Sequence, residues 1–475
     1  MATILSIDLG TSRVKVGVLD EGLRLRGSAA VAYPTARDAS GAAEQRSDDW
    51  LVALGRASRE ALAAAGAPPD ALVLTAQMPT LVALGDDGEP LGPAVTWQDG
   101  RADGLVERLG AALRTRVEEV SGAPLDGRYL VAMERRRVAD GLAPAARLLS
   151  AKDYLYYRLT GTLATDPSTA SGYGLYDLAR AAWSDELIGL VGVDAAALPE
   201  VAGCDHAEPL TAWGAELLGG VVPGRPVYLG GADSVCAHHF VETLYPGAVS
   251  VIDGSSSVVL ATLAGPRPAR TLVTPLVRAG ALGAEMDLLA TGASLAWLAE
   301  TLGVAPGALE DLALTHPDPA GLAVTFRPYL AGGEQGALWR RDLAGSIEGL
   351  SLTTTRADLA RALYEGIAFE TTRCLRALAP YARLDRVVAL TNPTSRSLGP
   401  ALLAGASGLE VTAIAGHSPS LVGAGIVALE ALGVGPVDVS APTPSGLVEL
   451  ADPGALAARA ARYLETVPPS TGGAS

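Results

Sequence analysis

Ile4-Leu5-Ser6-Ile7-Asp8-Leu9-Gly10-Thr11-Ser12-Arg13-Val14-Lys15-Val16-Gly17-Val18 is the stretch whose reading decides the fold. Ile4 to Leu9 is a short apolar strand, and Gly10-Thr11-Ser12 is a turn. Arg13 to Val18 then alternates with period two, as a half-buried strand does. Asp20-Glu21-Gly22 is a second turn, and Leu23 to Tyr33 supplies a third strand, so the segment reads as a β-meander. About halfway along the chain the pattern returns. Ala248-Val249-Ser250-Val251-Ile252 runs into Asp253-Gly254-Ser255-Ser256-Ser257 and on to Val258-Val259-Leu260. Both copies read strand, tight glycine turn, hydroxyl pair, strand, and their spacing predicts a protein of two related halves.

Outside these units, Asp48 to Ala65 and Thr355 to Leu378 carry apolar residues at helical spacing, with acidic or hydroxyl residues at their starts. Short strands are expected at Ala71 to Leu74, Val227 to Leu229 and Val387 to Leu390. Strands alternating with helices indicate an α/β architecture. Tyr245-Pro246-Gly247 punctuates the middle and marks the boundary, dividing the chain into 1–246 and 247–467, with a small polar tail at 468–475 that is expected to fray.

The bulk numbers exclude several classes. With 475 residues, 49% hydrophobic and 19% charged, the chain has ample material for more than one core. A net charge of -16 leaves no basic surplus to neutralise nucleic-acid phosphates. Cys204, Cys236 and Cys374 are odd in number and lack metal-ligand spacing, which suits a reducing compartment. Asp8 comes too early for a signal-peptide core, and no apolar run reaches the length of a membrane span. A cytoplasmic protein is therefore expected. Only Lys15 and Lys152 are lysines among 36 Lys and Arg residues, a bias that a GC-rich coding sequence explains.

Two glycine-and-hydroxyl turns suit phosphate binding, because glycine lets backbone N–H groups converge on phosphate oxygens and the hydroxyls add donors. Asp8 beside the first turn can hold Mg2+ through water. Leu229-Gly230-Gly231-Ala232-Asp233-Ser234 follows a strand, and a carboxylate there can accept the proton of a substrate hydroxyl. Read alone, an aspartate at this place is more often a helix N-cap than a base.

These segments together resemble the FGGY carbohydrate kinases, and among them the xylulokinases most. Ile7 to Lys15 is similar to the family's first phosphate motif. Ala76-Gln77-Met78 and Trp97-Gln98-Asp99-Gly100-Arg101 resemble the segments lining the sugar pocket. Lys152-Asp153-Tyr154-Leu155 through Thr165-Asp166 and Ala170-Ser171-Gly172 is similar to a distinctive family stretch. Gly230 to Asp233 resembles the loop of the catalytic base, Asp253 to Ser257 the second phosphate motif, and Leu363 to Ala368 a further family segment, all in collinear order. The resemblance implies the actin-like ATPase fold: two ribonuclease-H-like domains flanking a central cleft, sugar mainly on 1–246 and nucleotide mainly on 247–467. It implies Asp233 as catalytic base. Gln77, Met78, Trp97, Asp99 and Ser234 would meet the substrate. Gly10, Thr11, Ser12, Arg13, Lys15, Gly254, Ser255 and Ser256 would meet nucleotide phosphates, with ATP as co-substrate and Asp8 placing Mg2+. A homodimer is implied on the same ground.

Three departures stand out. Pro79 occupies the position where xylulokinases commonly carry His, and Ser234 the position of Asn or Gln, so the polar lining of the sugar pocket is altered. The adenosine loop lacks its glycine run and reads Leu390-Thr391-Asn392-Pro393-Thr394-Ser395-Arg396, leaving Asn392, Ser395 and, further on, Gly423 for the adenosine. Gly333-Glu334-Gln335-Gly336-Ala337 departs from Gly-Glu-Arg-Thr-Pro, with Arg340 and Arg341 nearby to replace the charge. The expectation is a kinase for a ketose, polyol or related polyhydroxylated compound; the alternative is a kinase scaffold that binds sugar without ATP-dependent turnover. His238-His239 is not expected to hold metal, and Arg135-Arg136-Arg137 reads as a solvated helix face.

Overall fold

The computed structural model describes residues 2–268, 271–316, 321–340, 342–391, 397–416, 418–435 and 444–466. The tail expected at 468–475 lies outside them. The chain forms two compact units: Met1–Phe240 with Val273–Leu282 and Ser418–Ser440, and Val241–Leu272 with Gly283–His417 and Ala441–Ser475. Of the described residues, 418–435 therefore group with the first unit, although the sequence reading set the boundary between 246 and 247. The reason is packing, given below.

The first unit is built on a sheet in the order Ala207–Pro209, Pro226–Ala232, Ala71–Ala76, Thr3–Leu9, Arg13–Asp20, Leu25–Ala32. The meander supplies the antiparallel half, pairing Asp8 with Lys15 and Val14 with Val31. Ala71–Ala76 and Pro226–Ala232 then add in parallel, aligning Leu9 with Ala76 and Ala76 with Ala232. The central strands are buried on both faces, so they read as continuous apolar runs rather than alternating ones. Helices Ser47–Ala65 and Ala151–Thr160 cover one face, contributing Trp50, Leu54, Tyr154 and Leu155 to its core. A smaller sheet of Ala36–Arg37, Ala43–Gln45, Ala94–Thr96, Thr80–Leu84 and Arg147–Ser150 completes the unit.

The second unit repeats the arrangement. Leu282–Leu288, Ser257–Thr262 and Val249–Asp253 form an antiparallel meander, and Val387–Thr391 and Val411–Ala415 add in parallel. In both sheets three antiparallel strands continue into two parallel ones, with Ala207–Pro209 and Leu272–Pro275 as added edge strands, so the halves share one core arrangement. Helix Arg356–Leu378 packs behind this sheet and starts with a capping box between Thr355 and Asp358. The helices and strands expected from periodicity are present with ends moved by one to three residues. One expectation fails: Arg137 is 7% exposed and donates to Glu134 at 2.6 Å, because helix Leu130–Ala139 turns that residue inward. All three cysteines are buried free thiols. Among the described residues no helix is long and apolar enough to cross a membrane.

Helix Pro419–Ala431 explains the unit boundary. Ala424, Ala428 and Leu429 pack with Ile4, Ala71, Val73, Tyr228 and Cys236 on the other face of the first sheet. The approach is so close that a Cβ on Gly423 would lie 1.7 Å from the Cys236 carbonyl oxygen. Gly423, expected near adenosine, is thus taken up in helix packing. Alanine is the better helix former by about 1 kcal/mol, so Gly423→Ala would stabilise an unconstrained helix. Here we expect the opposite, a loss of about 2 kcal/mol or more from forced separation, read as a lower Tm in thermal unfolding.

Candidate active site

The chemistry-bearing residues of the first unit lie where its parallel strands end. Gly10, Gln77 and Asp233 each follow the aligned set Leu9, Ala76 and Ala232 by one residue. Carboxyl ends of parallel strands are where open α/β sheets take ligands, since the chain there leaves the ladder and its polar groups become available.

Asp8 is 2% exposed, and its Oδ2 accepts from Lys15 Nζ at 3.2 Å and from the Ser420 hydroxyl at 2.8 Å. The hairpin turns at Gly10, whose N–H donates to Arg13 O at 3.1 Å, while the Tyr33 hydroxyl donates to Gly10 O. Burial, with Asp8 adding to it, pushes the Tyr33 phenol well above its ordinary range, so it stays a neutral donor. Ser12 and Arg13 are exposed at the tip.

Gln45, which no sequence motif singled out, ties the sugar-pocket candidates together. Its Oε1 accepts the Trp50 indole N–H at 3.1 Å, and an indole can only donate, so the amide orientation is fixed. Its Nε2 then donates to Thr11 O and Thr35 Oγ1, each at 2.7 Å. Gln77 donates to the same Gln45 Oε1 at 3.0 Å, and its own Oε1 is buried without a hydrogen bond. Trp97 is half-buried and donates to Thr11 Oγ1 at 3.2 Å. Met78 is half-buried with its methyl against Gly172.

Asp99 has a different task from the one expected. It is 3% exposed, accepts from Ala43 N at 3.0 Å, and binds Arg101 through Nε and Nη2. Arg101 Nη2 also reaches Glu44 at 2.6 Å. The hydrogen bonds to Asp99, and less so to Glu44, hold the guanidinium above its usual range against partial burial. Asp99 thus ties its segment to Ala43 directly and to Glu44 through Arg101.

Asp233 begins helix Asp233–Leu244, and its Oδ1 accepts the Ser234 N–H at 2.9 Å. The strand before it carries a register shift between Tyr228 and Gly231, where Leu229 N and Gly230 N donate to His206 O and Cys204 O instead. Gly230 sits at φ 65, and a Cβ there would meet Leu74 O at 1.8 Å. A bulge of this kind re-aims the chain that follows it. On the same helix His239 pairs with Glu430 at 3.1 Å.

In the second unit Asp253 Oδ1 accepts from Ser257 Oγ at 2.7 Å, and that hydroxyl lies 2.7 Å from Thr291 Oγ1. Ser255 O accepts from Ala293 N at 3.0 Å, while Gly254 and Ser255 are exposed and Ser256 half-buried. Asn392, Ser395 and Arg341 lie outside the described residues. Arg340 pairs with Asp342. Among the described residues no cluster of His, Cys, Asp or Glu is arranged to hold a metal.

Residues 3–239 match the N-terminal domain of the FGGY family of carbohydrate kinases, and residues 249–432 match its C-terminal domain. The chain belongs to the FGGY family of carbohydrate kinases. It is 28% identical over 384 residues to a xylulose kinase of Lactococcus lactis, covering 78% of this chain and 75% of that one. It is 30% identical over 399 residues to a glycerol kinase of Methylobacterium nodulans, covering 79% and 78%. Among solved structures, the ligand-bound xylulose kinase of Lactobacillus acidophilus superposes with a TM-score of 0.85 over 98% of this chain and 96% of that one, at 22% identity. The fold is therefore the two-domain actin-like ATPase fold of these enzymes, and the protein is a carbohydrate kinase.

The altered FGGY segment at Glu334 has its own signature. Glu334 is 3% exposed; its Oε2 accepts from Leu338 N and Trp339 N at 2.8 and 2.9 Å, and its Oε1 has no partner. Burial pushes the carboxyl up to about 7, the Leu338 N–H drawing it back and Glu370 adding to the rise. Unfolded, it titrates near about 4.3. Between those values the folded chain keeps a proton that the unfolded chain has released. The contribution is complete below about pH 4.3 and is lost as pH rises through about 7, on the order of 3 kcal/mol in all. Glu334→Gln mimics the protonated form, and a pH series of thermal melts is expected to show a shallower decline over that window.

Proposed function

We propose that this FGGY kinase transfers the γ-phosphoryl group of ATP to a hydroxyl of a ketose, polyol or related polyhydroxylated small molecule, with Asp233 as general base. The observation that carries the reading is the alignment of Asp233, Gln77 and Gly10 just past one line of strand ends. A base, a buried amide and a phosphate-type turn on a common edge suit a hydroxyl that must lose a proton while it meets phosphorus. Phosphoryl transfer asks for positioning and charge stabilisation more than for covalent help.

In this reading Asp233 accepts the hydroxyl proton as the oxygen attacks. Gln77, Met78, Trp97 and Ser234 orient the substrate, and Asp99 anchors its segment through Arg101. The turn residues Gly10, Thr11, Ser12, Arg13 and Lys15, and likewise Gly254, Ser255 and Ser256, offer donors to nucleotide phosphates. Asp8 fits a water-mediated hold on Mg2+, because its Oδ2 already serves Lys15 and Ser420 and one crowded carboxylate is no inner-sphere cage. Bound there, Mg2+ would offset phosphate charge. Pro79 beside Met78 removes a side-chain hydrogen bond from the pocket, which favours an acceptor other than xylulose. The protein is proposed to act in the cytoplasm and as a homodimer.

ADP release from MgATP, measured across ketoses, polyols and cyclitols, is expected to rise with one class. Asp233→Asn is expected to lower kcat by about 100-fold or more while calorimetric sugar binding persists. Full turnover by that variant would remove Asp233 from the mechanism; no stimulation by any compound would refute the substrate assignment.

A further inference from the structure

A lysine with no solvent exposure lies behind the strand that presents Asp233. Lys152 Nζ is 3.1 Å from Asp153 Oδ1 and 3.1 Å from Asp166 Oδ2, and all three side chains are fully buried. Burial draws the ammonium down, but the two carboxylates outweigh it and the lysine ends above its ordinary value. Each carboxylate is further engaged. Asp153 completes the capping box of helix Ala151–Thr160 and accepts the Tyr173 hydroxyl at 2.9 Å. Asp166 caps the short turn Pro167–Ser171, accepting from Ser168 N at 2.9 Å, Thr169 N at 3.2 Å and the Ser168 hydroxyl.

The chain of contacts continues to the reaction. Having donated its proton to Asp166, Ser168 Oγ accepts the backbone N–H of Ala232 at 2.9 Å. The carbonyl of the same peptide unit, Gly231 O, accepts from Thr75 Oγ1 at 2.8 Å. The Gly231–Ala232 peptide is thus held by a hydroxyl at each end, just past the register shift and just before Asp233. Such a peptide plane sets the direction from which Asp233 leaves the strand.

Buried charge triads seldom contribute net stability over an apolar filling of the same volume. What this one supplies is orientation: the ammonium fixes Asp166, Asp166 fixes the Ser168 proton, and that proton's direction makes the serine oxygen an acceptor for Ala232. The compact ammonium meets both carboxylates at 3.1 Å. In a chain that uses arginine almost everywhere else, this is one of two lysines.

We propose that Lys152, Asp166 and Ser168 are positioning residues for phosphoryl transfer, acting through the Gly231–Ala232 peptide on Asp233. The proposal rests on the reading of Asp233 as the base. It is tested with the full chain, MgATP and the compound that best stimulates ADP release, comparing Ser168→Ala, Lys152→Met and Asp233→Asn. Ser168→Ala is expected to stay folded by circular dichroism and to keep the sugar KM within about threefold, while kcat falls by about 10- to 100-fold. Lys152→Met, of similar length but uncharged, is expected to do the same; if it does not fold, Ser168→Ala decides alone. An unchanged kcat in Ser168→Ala, or a fall in kcat matched by an equal loss of sugar affinity, overturns the proposal. Turnover by Asp233→Asn overturns the base reading instead, whatever the other variants do.

Discussion

The ladder of hydrogen bonds that aligns Leu9 with Ala76 and Ala76 with Ala232 is the constraint on which the first unit's chemistry depends. Parallel pairing fixes three chain exits on one edge, and burial of both faces fixes the register, because a one-residue slip would exchange the side chains packed on the two faces. The side chains past those exits differ in character: a glycine turn, a glutamine and an aspartate. Their proximity follows from the sheet and not from their sequence spacing. The second unit lays down the same core arrangement, ending its first strand at Asp253. Two similar edges thus carry different residues.

A second regularity concerns carboxylates. Asp8, Asp99 and Asp166 are each at most 3% exposed, and each is held by a cation together with a neutral donor. Ionised carboxylates can be buried only when such partners offset the lost hydration. Asp233 differs in exposure: it is half-buried at a helix start, where its Oδ1 accepts the Ser234 N–H. The three scaffold carboxylates are nearly closed to solvent, and the group proposed to move a proton is more exposed.

The meanders, the long helices and the strand-end motifs were legible in the sequence because local periodicity and turn chemistry determine them. Gln45 was not. It lies in a turn-rich stretch, and its meaning comes from Trp50, Thr11 and Gln77, the last being 32 residues away. The same holds for Asp99, where the family pattern suggested a ligand and only the fold reveals Arg101 and the Ala43 N–H as its partners. Gly423 was legible as a special glycine, but its close approach to the Cys236 carbonyl was not. A missing side chain can admit a ligand or another helix, and sequence does not distinguish the two. Arg137 illustrates the converse: three successive arginines cannot all face water on a helix whose one flank is packed.

Helix Pro419–Ala431 covers the sheet made by the first 232 residues, yet it is encoded after nearly the whole second unit. On a ribosome adding about 5–20 residues per second, the gap between Phe240 and Pro419 lasts roughly 10–40 seconds. Throughout that interval Ile4, Ala71, Val73 and Cys236 have no native cover. The nascent first half is thus an unfinished body awaiting its last layer, with an oily face open to chaperones and to neighbouring chains. Its completion is tied to synthesis of the other half, which makes the two units partners in biogenesis as well as in topology.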